Sequence, residues 1–213
     1  MAAKTRLVGR SARKHRAIFK AARATFLAKG YDDTSMDEIA VVAGVSKPTI
    51  YKHFGDKDGL FGATIAAEIT EAESHTQAML EALPATRDLE GDLRRFARQH
   101  LADVMQPHLI RMRRRLIAEA ERFPQLAATW YKNGPEKGHE TLAAVFSALA
   151  ARQLLQIEDA RVAAEQFNWL VLIPLNRAMF ITRPVRTSDL HRAADRAVDI
   201  FLAAYGSQRP ERR

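Results

Sequence analysis

Residues 34–54, TSMDEIAVVAGVSKPTIYKHF, constrain the fold more than any other stretch of this chain. Ala40, Gly44 and Ile50 stand at the spacing of a helix-turn-helix, and each residue type has a physical reason. Two helices that cross steeply touch at one point, so the contact residue on the first must be small, as Ala40 is. The turn between them needs a residue at positive φ, which glycine adopts without steric cost. Val45 and Ile50 are then expected to plug the second helix onto the first, with Ile39 and Val42 facing the remaining core.

The charge distribution indicates what such a unit meets. The 213 residues carry a net charge of +8. Residues 1–57 hold 12 Lys/Arg against 5 Asp/Glu, while the rest of the chain holds 21 against 20. Nearly all the excess therefore lies with the helix-turn-helix. A duplex is bound largely through cations placed near its phosphates, so the expected partner is double-stranded DNA. The absence of Cys excludes disulfides and Cys-ligated zinc and fits a reducing cytoplasm. Residues 1–16 are polar and basic, unlike a signal peptide, and the most apolar run, 169–175, is too short to span a bilayer. The expectation is a soluble cytoplasmic protein without membrane partners.

Helical periodicity runs from end to end, with no sustained two-residue alternation. The expected fold class is all-α. An N-terminal three-helix helix-turn-helix domain with a basic arm covers residues 1–56, and a larger C-terminal helical domain covers residues 57–213. The first helix is expected over 11–29, with Ile18, Ala22, Phe26 and Leu27 buried and Gly30 ending it. Thr34 or Ser35 caps the second helix and Ser46 the third, whose first turn accepts Pro48 because an N–H is not needed there. Asp56 caps a long fourth helix reaching about residue 84, with the stripe Phe61, Ile65, Ile69, Ala72, Met79 and Leu83. Further helices are expected over 88–105, 107–122, 124–132, 136–151, 159–182 and 188–205. Pro107, Pro124 and Pro135 suit helix starts, and Pro184 a stop.

Three linked segments carry a resemblance. Ile18 through Phe26-Leu27-Ala28-Lys29-Gly30-Tyr31, Thr34 through Gly44-Val45-Ser46, and Thr49-Ile50-Tyr51-Lys52-His53-Phe54 followed by Lys57 resemble the TetR family of bacterial transcription regulators. The segment Ile117-Ala118-Glu119-Ala120-Glu121-Arg122-Phe123-Pro124 is similar to the C-terminal domain of the AefR-like subgroup. The resemblance implies a homodimer whose small N-terminal domain binds a palindromic operator and whose larger domain dimerises and takes a small effector. It also implies a phosphate clamp at Lys57 and a sixth helix lying over the DNA-binding domain. Two departures stand out. Gly59 and Gly62 fall in the first turns of the fourth helix, suggesting a flexible end, and Pro48 stiffens the start of the third.

From the residues themselves, the third helix presents Lys47, Thr49, Tyr51, Lys52 and His53 away from Val45, Ile50 and Phe54. A helix N-terminus favours phosphate, which places contacts at Ser46, Lys47, Pro48 and Thr49. Lys47 can donate to guanine, Thr49 can meet a thymine methyl or a phosphate, and Tyr51 and Lys52 suit backbone or methyl contacts. Thr34 and Ser35 are further phosphate donors, and Lys4, Arg6, Arg10, Arg13 and Lys14 form an arm for a minor groove or neighbouring phosphates. His53 serves equally well as a side chain that stabilises the turn.

In the larger domain, Phe96, His100, Met105, Met112, Trp130, Phe146 and Trp169 are candidates to line an apolar effector pocket. Core packing competes for each of them. Two stripes, Ala193, Ala194, Ala197, Val198, Phe201, Leu202 and Phe167, Leu170, Val171, Pro174, Leu175, are candidates for a four-helix dimer interface, with intramolecular core as the alternative. The basic run Arg111, Arg113, Arg114 and Arg115 surrounds Met112, Leu116 and Ile117, which are expected to face inward. No catalytic constellation is present. His139-Glu140 begins like a zinc-binding H-E-x-x-H, but Ala143 takes the second His position, so neither a metal, a cofactor nor an enzyme is expected. The sequence reads as a ligand-responsive dimeric repressor; an activator or an effector-independent architectural DNA binder are the alternatives.

Overall fold

The computed structural model describes the backbone of residues 2–207 and the side chains of residues 13–64, 67 and 76–207. Lys4, Arg6 and Arg10 of the expected arm, and Ile65, Ile69 and Ala72 of the fourth-helix stripe, lie outside the described side chains. The described residues are helical, without strands; one isolated antiparallel bridge joins Leu155 to Gly206. The helices are α1 (Ala2–Lys29), α2 (Met36–Ala43), α3 (Lys47–Phe54), α4 (Lys57–Ala82), α5 (Leu89–Val104), α6 (Pro107–Ala118), α7 (Pro124–Tyr131), α8 (Lys137–Ala151), α9 (Ala160–Val171), α10 (Ile173–Phe180) and α11 (Thr187–Tyr205).

Several boundaries differ from expectation for identifiable reasons. Pro135 does not start a helix. A π turn over Lys132–Glu136 joins α7 to α8, and its wider ring absorbs the residue that cannot donate an N–H. The helix expected over 159–182 breaks at Leu172, because Pro174 cannot continue the ladder and opens α10 instead. α1 begins nine residues earlier than the apolar stripe suggested, and α6 ends at Ala118.

The chain divides into two compact units. Met1–Glu68 and Arg111–Ala127 form the first; Ile69–Ile110 and Ala128–Arg213 form the second. α4 and α6 each contribute residues to both. In the first unit, Ile18, Ala22, Phe26, Ile39, Ala40, Ile50, Leu60 and Phe61 are buried, and Phe26 meets Phe61 edge-on at 4.8 Å. Each such aromatic contributes roughly 1.5–3 kcal/mol by leaving water. Val42 is the exception, at 59% exposure, because the crossing at Ala40 turns it outward. Ile117 likewise lies 64% exposed, while Met112 and Leu116 of the same helix are buried.

The second unit holds the larger core. Leu93, Phe96, Ala97 and Leu101 of α5 pack with Phe146 and Leu149 of α8, Phe167 and Val171 of α9, and Ala194, Ala197, Val198 and Phe201 of α11. Both stripes considered for a dimer interface are thus mainly intramolecular: Phe167, Val171, Ala194, Ala197, Val198 and Phe201 are all buried within the subunit. Among the described residues, no helix is long and apolar enough to cross a membrane.

Candidate nucleic-acid interface and effector site

The turn between α2 and α3 is built as its residues require. Ser35 caps α2, its Oγ accepting from the Glu38 N–H at 3.1 Å. Gly44 ends α2 in the left-handed region at φ 65°, ψ 35°, and the next N–H, that of Val45, returns to the Ala40 carbonyl at 3.0 Å. Ile50 is fully buried beneath α3, which leaves Ser46, Lys47, Pro48, Tyr51, Lys52 and His53 exposed along one short helix, with Thr49 half-buried. The helix N-terminus stays open. Ser46 stands at the N-cap as expected but gives no side-chain cap bond; its hydroxyl pairs with that of Thr49 at 2.8 Å.

The expected contact residues separate into two groups. Ser35 is exposed and keeps its hydroxyl proton available. Thr34 does not belong with it: at 2% exposure its hydroxyl donates to the Gly30 carbonyl at 2.6 Å, so it holds the α1–α2 connection and cannot meet phosphate. Lys47 Nζ lies 2.7 Å from Asp37 Oδ2, and that hydrogen bond holds its ammonium above the ordinary value. Lys57 donates to the Asp32 carbonyl at 3.1 Å and sits 4.3 Å over the Tyr31 ring. Arg13 and Lys14 are exposed on α1. His53 stands 5.8 Å edge-on from His15, which stacks on Phe54 at 5.0 Å. Burial, and then the charge of His53, push His15 below the usual imidazole range.

Behind this face, the segment following α6 is clamped to the α1–α2 connection. Phe123 meets Tyr31 at 4.7 Å, Arg122 lies over both rings and pairs with Asp32, and the Arg115 guanidinium rests against Gly30. Burial pushes Arg113 down to about 10. One of the two glycines in the first turns of α4, Gly59, permits a close approach. A Cβ on Gly59 would stand 2.1 Å from the Phe54 carbonyl oxygen, so glycine is what lets α3 and α4 meet this closely.

The seven candidate pocket residues do not form one lining. Phe96, Met105 and Phe146 belong to the core of the second unit, Met112 is buried in the first, and Trp130 is half-buried. Trp169 is 60% exposed and faces away from that core. An open cleft of about 450 Å³ is lined by Arg177, Ala178, Ile181, Arg183, Pro184, Val185, Arg186 and Asp189, none of them among the seven. His100 leads to residues not anticipated from the sequence. Its Nε2 is 3.0 Å from Asn168 Oδ1, and Asn168 Nδ2 is 2.9 Å from Nε2 of the buried His139. The available signal was an Asn inside the apolar run of α9, between Phe167 and Trp169. Among the described residues, no group of three or more His, Cys, Asp or Glu is placed to hold a metal.

Comparison with known proteins decides the family. Residues 18–64 match the model of the bacterial regulatory proteins of the tetR family, and residues 91–207 match that of the AefR-like transcriptional repressor C-terminal domain. The chain belongs to the TetR family of transcriptional regulators. A Mesorhizobium loti MAFF303099 protein assigned to this family is 42% identical, with a TM-score of 0.88 over 92% of this chain and 98% of that one. The Flavonoid-responsive Regulator FrrA is 31% identical, with a TM-score of 0.72 over 93% of this chain and 100% of that one. The HTH-type transcriptional regulator AcrR of Shigella flexneri is 35% identical over 119 residues, 56% of this chain and 52% of AcrR. This chain thus aligns with about half the length of that curated relative.

Proposed function

We propose that this TetR-family regulator is a cytoplasmic homodimeric repressor that binds a palindromic operator and is released from it by a small, largely apolar effector. The observation that carries the DNA reading is α3, with Ile50 anchored below and Ser46, Lys47, Pro48, Tyr51, Lys52 and His53 exposed above an open helix N-terminus. Ser35, Thr49 and Lys57 complete the contact set, with Lys57 leaving its seat on Tyr31 to meet phosphate. In this reading residues 1–56 recognise DNA and residues 57–213 sense and dimerise.

Dimerisation is assigned to the outer face of α9–α11. Val162 and Trp169 lie two turns apart on α9, and Ile173, Phe180, Ile181 and Ile200 are exposed in the same unit. Large exposed apolar residues gathered on one unit mark an interaction surface. The effector reading draws on FrrA, whose name records a flavonoid response, and points to an aromatic compound. α4 supplies a route for coupling, since its residues belong to both units. A ligand that favours one of two α4 settings changes the spacing of the paired recognition helices, and operator affinity then falls by the ligand's differential affinity for the two states.

The test is selection of operator sequences from random DNA, followed by affinity measurement. The double variant Lys47→Ala/Tyr51→Ala is expected to lose specific binding while retaining salt-sensitive binding to random duplex. Unchanged specific affinity would remove α3 from the reading role. An activator would raise transcription from the selected operator, and an architectural binder would stay bound with every compound tested.

A further inference from the structure

The open cleft of about 450 Å³ between α10 and α11 has no part in the readings above. Its walls follow from the local sequence. α10 ends at Phe180, where the Ile181 N–H bonds to the Arg177 carbonyl at 3.0 Å and Ile181 itself turns extended. Pro184 cannot donate to a helical ladder, and residues 181–186 stay irregular until α11 opens at Thr187. The most buried apolar residues of the lining are Ala178 and Val185. Ala178 belongs to the core of the second unit and Val185 packs against it, so the base of the cleft is fixed by the fold. Its size lies within the range of roughly 300–1,000 Å³ usual for small-molecule sites.

Charge is unevenly placed here. Residues 177–192 hold four arginines and one carboxylate, Asp189, although the chain beyond residue 57 is almost balanced. Asp189 accepts from Arg186 Nε at 3.0 Å and Nη2 at 3.3 Å, and it pairs with Arg192 as well. Those contacts, the Arg186 hydrogen bond foremost, hold its carboxyl below the usual carboxylate range. Asp189 is thus matched twice over. Arg177 and Arg183 line the same cleft, and neither guanidinium has an ion-pair or hydrogen-bond partner among the described residues. A guanidinium presents its N–H groups in a fixed fork that fits a carboxylate. Beside the two, Ala178, Ile181, Pro184 and Val185 offer aliphatic surface. An inorganic anion would leave that surface unused, and a neutral hydrocarbon would leave both cations unmatched.

We propose that this cleft binds a small monocarboxylate with an aliphatic body, its carboxylate held by Arg177 and Arg183 and its hydrocarbon part laid on Ile181, Pro184 and Val185. Binding here needs neither the operator nor the effector assigned above. Ile181 is shared with the face proposed for dimerisation, so a second copy of the chain is the competing occupant.

The experiment uses the full-length protein and three probes: octanoate, its neutral isostere octanamide, and inorganic phosphate as an anion without a hydrocarbon body. Calorimetric titration at low salt is expected to show octanoate binding roughly tenfold more tightly than octanamide, with the difference shrinking in high salt. Phosphate should not displace octanoate at equal concentration. In Arg177→Gln/Arg183→Gln the preference should vanish while octanamide affinity is kept. Arg111→Gln, at an exposed arginine of the first unit, should leave the preference intact, which separates the cleft from a general effect of net charge. Should the double variant fail to fold, methyl carbon-13 spectra of the unaltered protein decide the same question. Octanoate should move the Ile181 and Val185 signals and leave that of the buried Leu93 in place. Equal affinity for octanoate and octanamide, a preference that survives in the double variant, or Ile181 and Val185 signals that octanoate leaves unmoved would overturn the site. Displacement by phosphate at equal concentration would overturn the class of ligand. The double variant should sediment as the unaltered protein does; a shift from dimer to monomer would give the cleft to the second copy and overturn the ligand site.

Discussion

Replacing Gly59 by Ala sets two physical effects against each other. Gly59 lies in the first turn of α4 with no positive φ, so helix propensity alone predicts that Ala stabilises by about 1 kcal/mol. Geometry predicts the reverse. The added Cβ would be 2.1 Å from the Phe54 carbonyl oxygen and 3.4 Å from Asp56 Oδ1, and Asp56 already accepts from the Gly59 N–H at 2.7 Å. The obstacle is backbone, not the free end of a side chain. It is also anchored, because the Gly55 N–H bonds to Tyr51 and Ile50 is buried beneath α3. A 2.1 Å approach to backbone belongs in the upper part of the overpacking range, so forcing the junction apart should cost about 2–3 kcal/mol, outweighing the propensity gain and leaving a net loss of roughly 1–2 kcal/mol. Gly138→Ala is the control. It is helical and a Cβ there meets nothing within 4 Å, so propensity acts alone and stabilises. The assay is amide hydrogen exchange followed by mass spectrometry, which reads each segment separately. Peptides covering α3 and the start of α4 should exchange roughly five- to thirty-fold faster in Gly59→Ala, since 1.4 kcal/mol is a factor of about ten. Peptides of α8 should slow in Gly138→Ala. Unchanged or slower exchange around Gly59 would refute the close-approach argument.

Two further expectations concern the second unit. Trp169→Glu with Ile173→Glu should shift sedimentation from dimer to monomer while α9 stays folded; a persistent dimer would move the interface elsewhere. Burial holds His139 below the usual imidazole value of 6.5, so the unfolded chain binds the proton more readily than the folded one. Its contribution to stability is therefore complete above about pH 6.5 and is lost as pH falls below that value. Urea midpoints read by Trp130 and Trp169 fluorescence should drop from pH 7.5 to pH 5.5, and His139→Gln should flatten that slope. An equally steep slope in the variant would assign the effect to another group.

Local rules are the legible part of this sequence. Positive φ at Gly44, a cap at Ser35 and the buried series Ile18, Ala22, Phe26 each depend on neighbours within a turn or two, so residue type and spacing are sufficient. What depends on distant partners is not legible. Periodicity identifies an apolar face without saying whether the subunit's own core covers it, and so the sequence points Trp169 inward and leaves Phe167 open between a partner and the core, whereas the fold exposes Trp169 and buries Phe167. Thr34 looks like a phosphate donor because its acceptor, the Gly30 carbonyl, comes within reach only once the connection has folded. His139 and Asn168 are 29 positions apart, and no spacing rule links them. Gly59 misleads for the same reason: a missing side chain can signify looseness or contact, and only the position of the Phe54 carbonyl separates the two.

The pairing of Lys47 with Asp37 bears on fidelity. Before any duplex arrives, the exposed cation at the head of α3 already has an anion of its own on α2. If Lys47 meets DNA as proposed, docking is an exchange of partners, and the carboxylate left behind stands close to a polyanion. A sequence that gives Lys47 a well-placed acceptor compensates for that separation; one that gives only phosphate compensates less. On the proposed reading, in which Lys47 meets DNA, Asp37 acts as an internal competitor that lowers affinity for all DNA but lowers it most for the wrong DNA. On the same reading fewer small cations are displaced on binding than the lysines and arginines of this face would suggest, so the salt dependence of binding should be shallower than their number implies.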